Sequence, residues 1–309
     1  MLIVSDLHWR CDTPAWRKEA DYAAQVLRPQ LASLLDTGEP VIVAGDVFHR
    51  SADFAATYDL FTFLKERGAV LYATRGQHDM TYHNESMVRT GVNLLVAAGL
   101  IVPLGAKVTT IEGRSVCGMG WGVELPDWTG GDFLIAHVSV SHGDAMIPGA
   151  TTATAFRERN RRFGRIFTGD NHKRFALPDP LAHSDPYLRR SGLFYFRGLF
   201  NAGCFHQMSA ELIDQPPAAW HVLPNGYIEV EPFPIPFTPP MVDESYMLRQ
   251  KKGKEAAAGA EFVKALAEAR SHGGGDIFMD TLQAALAEAE GGIKELLGEV
   301  VRKCKEVHT

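Results

Sequence analysis

Five short apolar runs constrain this chain more than any other feature, because each is followed at once by side chains that can bind a metal. The polar stretches after them are Asp6-Leu7-His8, Gly45-Asp46, Gly76-Gln77-His78, His137 and Gly169-Asp170-Asn171-His172. Segments of helical periodicity separate most of the runs, so strands and helices alternate along the chain. In such a fold, polar side chains gather at the carboxyl edge of the sheet. We predict an α/β sandwich with its site along that edge.

The spacing within these stretches favours shared metal binding. Asp6 and His8 lie two residues apart after an apolar run, and side chains alternate along an extended chain, so both can address one ion. Asp46 follows the run Val41–Val43, and Gly45 lets the backbone turn in front of it. We interpret Asp46 as a carboxylate that bridges two ions.

Helical periodicity predicts four helices around these runs. The first would begin at Thr13-Pro14 and end or bend at Pro29. The others cover residues 53–67, 84–98 and 152–162. Short strands within residues 101–120, and strands near Leu199 and Trp220, complete the expected elements.

The composition indicates a globular protein of 309 residues, 46% hydrophobic, with a net charge of −6. Residues 157–197 hold ten basic residues against four acidic ones, so they carry +6 and the remainder carries −12. This segment is either a phosphate-binding face or a set of arginines paired with acids elsewhere. No apolar run reaches about 18 residues, and the four cysteines are far apart. We expect a cytoplasmic protein with no membrane span and no disulfide framework.

The donors in the five stretches suit a two-ion site. They are Asp6, His8, Asp46, Gln77, His137, Asp170 and His172. Two divalent cations with four protein ligands each, one of them shared, require seven such residues. The mixture of oxygen and imidazole donors favours Mn²⁺, with Mg²⁺, Fe²⁺ and Zn²⁺ as alternatives. Two ions about 4 Å apart polarise a phosphate and activate a water, so we predict hydrolysis of phosphate esters. His142 is the alternative ligand if the strand before His137 ends later.

The motifs resemble, in the same order, those of calcineurin-like metallophosphoesterases: D-x-H, G-D-x-x-H, G-N-H-D, a lone histidine after a strand, and G-H-x-H. The similarity spans about residues 1–205. The form Gly45-Asp46-Val47-Phe48-His49 resembles that of SbcD-type DNA-repair nucleases. The resemblance implies two central β-sheets flanked by helices. It also implies a manganese-dependent DNA exonuclease or endonuclease that acts in repair or recombination.

The resemblance also assigns roles by position in the motifs. The ligands of the first metal would be Asp6, His8, Asp46 and His172. Those of the second metal would be Asp46, Gln77, His137 and Asp170. His78 would protonate the leaving oxygen or stabilise charge on the phosphate. His49 would help hold the DNA phosphate in line, and its alternative is a surface histidine after a turn.

Two residues depart from the family motifs. Gln77 stands where the family has asparagine, so its amide oxygen lies one methylene further from the backbone. Asp170 stands where the family has the first histidine of G-H-x-H. Its carboxylate favours Mn²⁺ or Mg²⁺ over Zn²⁺. With two divalent ions bound, the site would carry a net charge of +1, against +2 with histidine at this position. We expect a slower enzyme, or one that needs added metal, rather than an inactive one.

The composition changes after residue 231, where five prolines lead into a segment rich in Ala, Glu and Lys with helical periodicity. We predict a catalytic domain over residues 1–209, a short strand pair and Pro-rich linker over 210–242, and a C-terminal helical extension over 243–309. The middle segment would be a reduced form of the DNA-capping domain. The resemblance implies that the helices dock on an SbcC-like coiled-coil ATPase. A hairpin packed on its own domain and a homodimer seam are the alternatives.

Two functions remain open beside the DNA nuclease. One is a phosphodiesterase or phosphatase of small substrates from the same superfamily, with a closed pocket and full activity without a partner. The other is a scaffold protein whose altered site turns over weakly. Near the site, His206 is a candidate substrate contact, and Tyr82 and Phe205 are candidate stacking partners for a base.

Overall fold

The structure is a computed structural model that describes residues 1–81, 89–127, 129–143, 147, 149–178, 198–223, 233–235 and 239–249. The chain divides into two compact units, Met1–Met241 and Val242–Thr309. In the second unit, residues 244–249 are helical. The helices predicted beyond residue 249 lie outside the described residues, and so do the docking and dimer surfaces predicted on them.

The first sheet of the first unit consists mainly of parallel strands. Its strands are β1 (Leu2–Val4), β2 (Val41–Val43), β3 (Leu71–Ala73), β4 (Ile101–Pro103), β13 (Ala218–His221) and β14 (Phe233–Pro234). They are arranged in the order β14-β13-β1-β2-β3-β4. β1 to β4 run parallel, with Leu2 opposite Val41 and Val41 opposite Leu71. β13 pairs antiparallel with β1, so the segment 210–242 supplies a strand to this sheet.

The second sheet has a parallel centre with antiparallel edges. Its strands are β5 (Thr109–Ile111), β6 (Arg114–Met119), β7 (Gly131–His137), β10 (Phe163–Gly169), β11 (Phe175–Pro178) and β12 (Gly198–Asn201). Their order is β11-β12-β10-β7-β6-β5, and the four central strands are parallel. A two-stranded sheet of β8 (Val140–Ser141) and β9 (Thr151–Thr152) lies between β7 and β10 in sequence.

Four α-helices in the described residues accompany the two large sheets. They are α1 (Arg28–Leu35), α2 (Phe54–Arg67), α3 (Gly91–Ala97) and α4 (Ala153–Arg159). The side chains of Asp53, Thr90 and Thr152 accept backbone N–H bonds at the starts of α2, α3 and α4. Gly68 ends α2 in the left-handed conformation, at φ 60°. The caps place these helices close to the positions that periodicity predicts.

Alternation along the central strands separates the core into layers. Leu2 and Val4 of β1 pack with Leu31 of α1 and Leu60 of α2 in one apolar cluster. Met1 and Ile3 point the other way and pack against residues of the second sheet, which include Phe133, Ile135 and Phe167. A third cluster joins the outer face of the second sheet to Phe156 of α4. The predicted α/β fold, with two central sheets flanked by helices, is confirmed.

The first predicted helix was wrong in its start and in the role of its proline. Residues 13–20 form turns and a bridge rather than a helix. A π-helix over Ala23–Leu27 leads directly into α1, and Pro29 lies in the first turn of that helix. Proline has no N–H to donate, and the hydrogen bonds change from the π-helical to the α-helical pattern directly before it, where the N–H of Arg28 donates to Ala23. Pro29 therefore does not end the helix.

The other predictions about organisation have mixed outcomes. The helix predicted over residues 84–98 is described from Gly91 to Ala97, and residues 82–88 lie outside the described part. The second strand of the pair predicted within residues 210–242, at residues 227–230, also lies outside it, and the three domain boundaries remain a prediction. Cys11, Cys117 and Cys204 form no disulfide. Among the described residues, no helix is long and apolar enough to cross a membrane.

Candidate metal centre

Five parallel strands from the two sheets deliver the predicted donors to one place. Asp6 and His8 follow β1, Asp46 follows β2, and Gln77 follows β3. From the second sheet, His137 ends β7, while Asp170 and His172 follow β10. All seven donors therefore stand at the carboxyl ends of their strands, as the sequence predicts.

The backbone conformation at these strand ends is unusual. Asp6, His8, Asp46 and Asp170 have φ values of 54°, 42°, 51° and 77°, in the left-handed region that favours glycine. Such residues cost roughly 1–3 kcal/mol each and persist only where the surroundings hold them. Hydrogen bonds join the loop after β1 to the loop after β2, since the N–H of His8 donates to the carbonyl of Asp46 at 2.9 Å. The N–H of Trp9 donates to Val47 at 2.8 Å in the same way.

The first group of donors comprises Asp6, His8, Asp46 and His172. Nε2 of His8 lies 3.7 Å from Oδ1 of Asp6 and 3.6 Å from Oδ2 of Asp46. Nε2 of His172 lies 3.7 Å from the same oxygen of Asp6. These distances are too long for hydrogen bonds. They match two ligands of one cation, since each would lie about 2 Å from it.

The second group comprises Asp46, Gln77, His137 and Asp170. Nε2 of His137 lies 3.4 Å from Oδ2 of Asp46, 2.7 Å from Oε1 of Gln77 and 3.9 Å from Oδ1 of Asp170. Nδ1 of His137 bonds to the carbonyl of Ala44 at 2.7 Å, which leaves Nε2 to face the donors. Asp46 thus belongs to both groups, as predicted for a bridging carboxylate.

The arrangement of the donor atoms suits coordination of divalent cations better than hydrogen bonding among the donors. Both ring nitrogens of His8 and Oδ2 of Asp46 are buried without any hydrogen-bond partner. Unpartnered buried polar atoms are costly, and coordination of a cation would satisfy them. Three donor sets, each with ligand atoms within 4.8 Å of one another, cover this region. They are Asp6 with His8 and His172, Asp6 with Asp46 and His137, and His8 with His49 and His78.

The ionisation of the buried donors reflects their mutual contacts. Burial lowers the pKa of His8 well below its usual range, so the ring is neutral and ready to bind a metal. Burial also opposes the charge of His137, but its contacts with Asp46, Asp6 and the carbonyl of Ala44 together outweigh burial and raise the pKa of His137 to about 10. Burial disfavours ionisation of Asp46, yet the contact with His137 lowers its pKa. A cation bound at His137 would replace this proton.

Three glycines leave room for the donors. A Cβ on Gly45 would lie 2.2 Å from Nδ1 of His137, and Gly45 also has a φ of 84°. A Cβ on Gly76 would lie 2.0 Å from Oδ1 of Asp46. On Gly169 it would lie 2.2 Å from the carbonyl of Ala44. Glycine is therefore required at these positions because neighbouring atoms come too close for a Cβ, and at Gly45 also because the backbone has a positive φ.

The model of the calcineurin-like phosphoesterase family matches residues 1–192, which hold all seven donors. The chain belongs to this family. Its members bind divalent metals in a dinuclear site, which agrees with two donor groups that share Asp46. Among solved structures, the phosphoesterase is similar to a 5'-nucleotidase precursor from Thermus thermophilus, with 10% identity and a TM-score of 0.42. That match covers 86% of this chain and 59% of the other. Comparison with curated proteins gives no significant match.

His49 and His78 stand beside the first donor group of the phosphoesterase. Their rings stack with centroids 5.7 Å apart, and the ring of His78 meets that of His8 edge-on at 4.9 Å. Nδ1 of His78 bonds to the carbonyl of His49 at 2.9 Å. Burial, together with Arg10, lowers the pKa of His49 to about 4, so this ring is neutral at pH 7. His49 is half-buried, and its predicted role at the phosphate stays a prediction.

Asp79 holds the loop that carries Gln77 and His78. Its carboxylate accepts backbone N–H bonds from Val47, Phe48 and Gly76 at 3.2, 3.0 and 2.9 Å. Burial and the nearby carboxylate of Asp46 raise its pKa to about 7, against the effect of these bonds. Asp79 was not among the predicted site residues, and its position at the end of the G-N-H-D motif is the signal that could have identified it.

Three other predictions are settled by the contacts. The ring of His142 lies against Phe175, at 5.4 Å, so His137 and not His142 faces Asp46. Phe205 is fully buried in the first cluster and cannot stack on a substrate base. His206 is also buried, and its Nδ1 bonds to the hydroxyl of Tyr22 at 2.6 Å. Tyr82 lies outside the described residues.

Several arginines of the basic segment, residues 157–197, contact other residues of the protein. Arg162 donates to the carbonyl of Thr129, and Arg174 donates to that of Pro216 at 3.2 Å. Arg157 pairs with Glu158 at 3.1 Å. Carbonyl oxygens hold Arg162 and Arg174, and an adjacent acid holds Arg157, so these three arginines are engaged within the protein. Their partners could not be read from the sequence.

Proposed function

We propose that this phosphoesterase is a metal-dependent nuclease that hydrolyses the phosphodiester bonds of DNA, as an SbcD-like subunit in repair or recombination. The observation that carries the proposal is the stacked pair of His49 and His78 against the ring of His8. A phosphodiester of DNA expels an alkoxide, which must take up a proton as it leaves. A histidine beside the metal donors that is not needed as a ligand meets this requirement.

The two histidines would have different tasks. The bond from Nδ1 of His78 to the carbonyl of His49 fixes the ring and leaves Nε2 to carry a proton to the leaving oxygen. His49 is neutral at pH 7 because its pKa is lowered to about 4. It is therefore a poor proton source, and we assign it to holding a phosphate oxygen through an N–H bond.

The seven donors would hold two divalent ions, with Asp6, His8 and His172 on one and Gln77, His137 and Asp170 on the other. Asp46 would contact both. Mn²⁺ suits this mixture of carboxylate, amide and imidazole best. When bound, such ions polarise the phosphate and lower the pKa of a coordinated water. The protein's part is to orient the donors and to supply the proton from His78.

A partly exposed cationic side chain beside His49 supports a polyanionic substrate. Two-thirds of the side chain of Arg50 is exposed, and its guanidinium lies 3.7 Å from the carboxylate of Asp12. A phosphate chain that crossed the metals on this side would meet that positive charge. The second candidate is a small-substrate phosphodiesterase, which the cavity beside His137 favours because its volume suits a ligand the size of a nucleoside.

The proposed partner is an SbcC-like coiled-coil ATPase that binds the helical segment 243–309. A homodimer through the same segment is the alternative. Size-exclusion chromatography with light scattering distinguishes them, because a homodimer doubles the mass of the chain alone. A monomer that binds the ATPase, and loses the binding when residues 250–309 are removed, supports the partner proposal.

The first experiment measures release of nucleotides from linear DNA by the full chain, with added Mn²⁺ or with EDTA. We expect Mn²⁺-dependent degradation that His78→Ala abolishes and the matched control His142→Ala preserves. Bis-p-nitrophenyl phosphate serves as the small diester. Cleavage of it with DNA untouched would select the second candidate, and no cleavage of either would contradict both enzyme proposals.

The leaving group tests the role of His78 itself. Loss of a general acid typically costs about 10²–10⁴ in rate. We expect a loss of this size for His78→Ala on DNA, and a much smaller one on bis-p-nitrophenyl phosphate, because p-nitrophenolate leaves without a proton. Equal losses on both substrates would show that His78 acts on the phosphate rather than on the leaving oxygen.

A further inference from the structure

A cavity of about 750 Å³ opens beside the second donor group. His137 and Ser139 line it, and the hydroxyl of Ser139 donates to Asp170, so the cavity directly adjoins the metal donors. The other walls come from residues 119–127 after β6 and from α4 with the turn that follows it. Its volume lies within the range of about 300–1,000 Å³ that is typical of small-molecule sites.

An indole ring stands at the metal end of this cavity. The ring of Trp121 lies 6.1 Å from that of His137, tilted by 59°. The backbone N–H of Trp121 donates to the carbonyl of Arg75 at 2.9 Å, which fixes the position of the residue. Trp121 is half-buried, and the buried apolar side chains of Leu125 and Phe156 line the same cavity. The site thus offers a flat aromatic surface next to the place where a phosphate would bind.

The charges of the lining favour a neutral group over a second phosphate. Arg159 and Arg162 face Glu124 and Asp127 around the cavity, so these four side chains sum to zero. Arg162 is already engaged with the carbonyls of Thr129 and Arg159. A second phosphate would therefore gain little electrostatic attraction here. A flat, largely apolar group would gain stacking and burial.

We propose that this cavity binds the nucleobase of the nucleotide whose phosphate lies at the metal centre, with the base stacked on Trp121. The inference rests on the proposed function, because it names the part of the nucleic acid that the site recognises. His78 contacts His8 in the first donor group, whereas the cavity adjoins His137 in the second. The base in the cavity therefore belongs to the nucleotide that keeps its phosphate, and the mononucleotide product retains this contact.

Binding of products tests the inference without any turnover. Calorimetry on the Mn²⁺-loaded full chain compares deoxyadenosine monophosphate, as its 5'- and 3'-isomers, with deoxyribose 5-phosphate, which lacks the base. We expect the better-bound nucleotide isomer to bind about tenfold or more tightly than the sugar phosphate, as stacking on an aromatic side chain provides. Trp121→Ala should reduce this ratio to about one and leave the affinity for the sugar phosphate unchanged.

Two controls separate stacking from general damage. Trp121→Phe keeps an aromatic surface and should retain most of the ratio. Tyr58→Ala removes an exposed aromatic ring of α2 and should leave the ratio unchanged. Equal affinity of the wild-type chain for both compounds would overturn the inference, as would a ratio that survives Trp121→Ala. Hydrolysis of DNA can be present in either case, so failure of this inference differs from failure of the nuclease. Absence of binding of every phosphate would also overturn the inference, while the nuclease itself is tested by release of nucleotides from DNA.

Discussion

The side-chain amide of Gln77 donates a hydrogen bond to Asp170, while its oxygen faces Nε2 of His137 at 2.7 Å. Both Gln77 and Asp170 depart from the family motifs, and the structure brings them into contact. The longer glutamine reaches the carboxylate, and Ser139 donates to the other oxygen of Asp170. The two departures thus form one hydrogen-bonded unit within the second donor group.

We expect substitutions of Gln77 and Asp170 to be non-additive. Gln77→Asn shortens the side chain, so that its amide no longer reaches Asp170. Asp170→His removes the carboxylate that accepts hydrogen bonds from Gln77 and Ser139. Each should weaken Mn²⁺ binding about 10–100-fold, as loss of an orienting contact does. The double variant should lose less than the sum, with a coupling of about 0.5–3 kcal/mol. Titration calorimetry with Mn²⁺ measures the cycle, and strictly additive losses would show that the pair is not a unit.

A methyl group on Gly45 should abolish metal binding at the second donor group. Its Cβ would lie 2.2 Å from Nδ1 of His137 and would displace that ring. Gly38→Ala is the matched control, because Gly38 has a similar φ of 73° but nothing within 4 Å of the added carbon. Both changes should cost about 1–2 kcal/mol of unfolding free energy from backbone strain alone.

Only Gly45→Ala should also reduce the Mn²⁺ stoichiometry, measured by calorimetry or metal analysis. Loss of metal in both variants would assign the effect to strain instead. Full metal content in Gly45→Ala would show that His137 can move aside without leaving the site.

Asp79→Asn should destabilise the chain and loosen the loop of Gln77. The carboxylate accepts three backbone N–H bonds, and an asparagine presents its NH₂ group to at least one of those donors. Well above its pKa of about 7 the carboxylate is ionised, and hydrogen bonds to charged groups contribute about 1.5–3 kcal/mol each, so a loss of this size is expected in urea unfolding at alkaline pH. The exposed Asp127→Asn is the control and should unfold as the wild type does. An unchanged midpoint for Asp79→Asn would mean that this carboxylate is protonated and dispensable.

Acid should destabilise the metal-free protein through His206. Burial lowers the pKa of His206 well below its usual range, so the folded state resists protonation. The unfolded chain takes up the proton near pH 6.5, so the contribution of His206 to stability is fully present above that pH and is lost as the pH decreases below it. The slope is about 1.4 kcal/mol per pH unit for one such histidine. His8 acts in the same direction, since its pKa is also lowered, whereas Asp79, whose pKa is raised to about 7, acts in the opposite direction.

Urea unfolding in EDTA between pH 7.5 and 5.0 measures this dependence. His206→Gln keeps a partner for the hydroxyl of Tyr22 but cannot be protonated, so its stability should fall less steeply with acid. Identical slopes for the variant and the wild type would assign the whole effect to other groups.

The α/β class, the parallel strands and the seven candidate donors could all be predicted from the amino-acid sequence. The prediction was possible because the donors follow short apolar runs that form strands. The carboxyl ends of parallel strands lie at the same edge of a sheet, so residues that follow them come together. Local periodicity also placed α2 and α4 near their observed bounds. It failed between Thr13 and Tyr22, where residues with helical spacing form turns. There, contacts with distant residues, such as the bond from Trp16 to the carbonyl of Met208, override the local pattern.

The side chains that surround the donors could be identified only in the folded chain. Ser139 and Asp170 are 31 positions apart, and Gln77 and Asp170 are 93 apart, so no local pattern connects them. Trp121 carries no motif, and folding alone places its ring beside His137. Phe205 follows a strand, as a site residue would, but the packing of the first cluster buries it. Strand ends are local and can be read from the chain, whereas neighbours across two sheets depend on how those sheets pack.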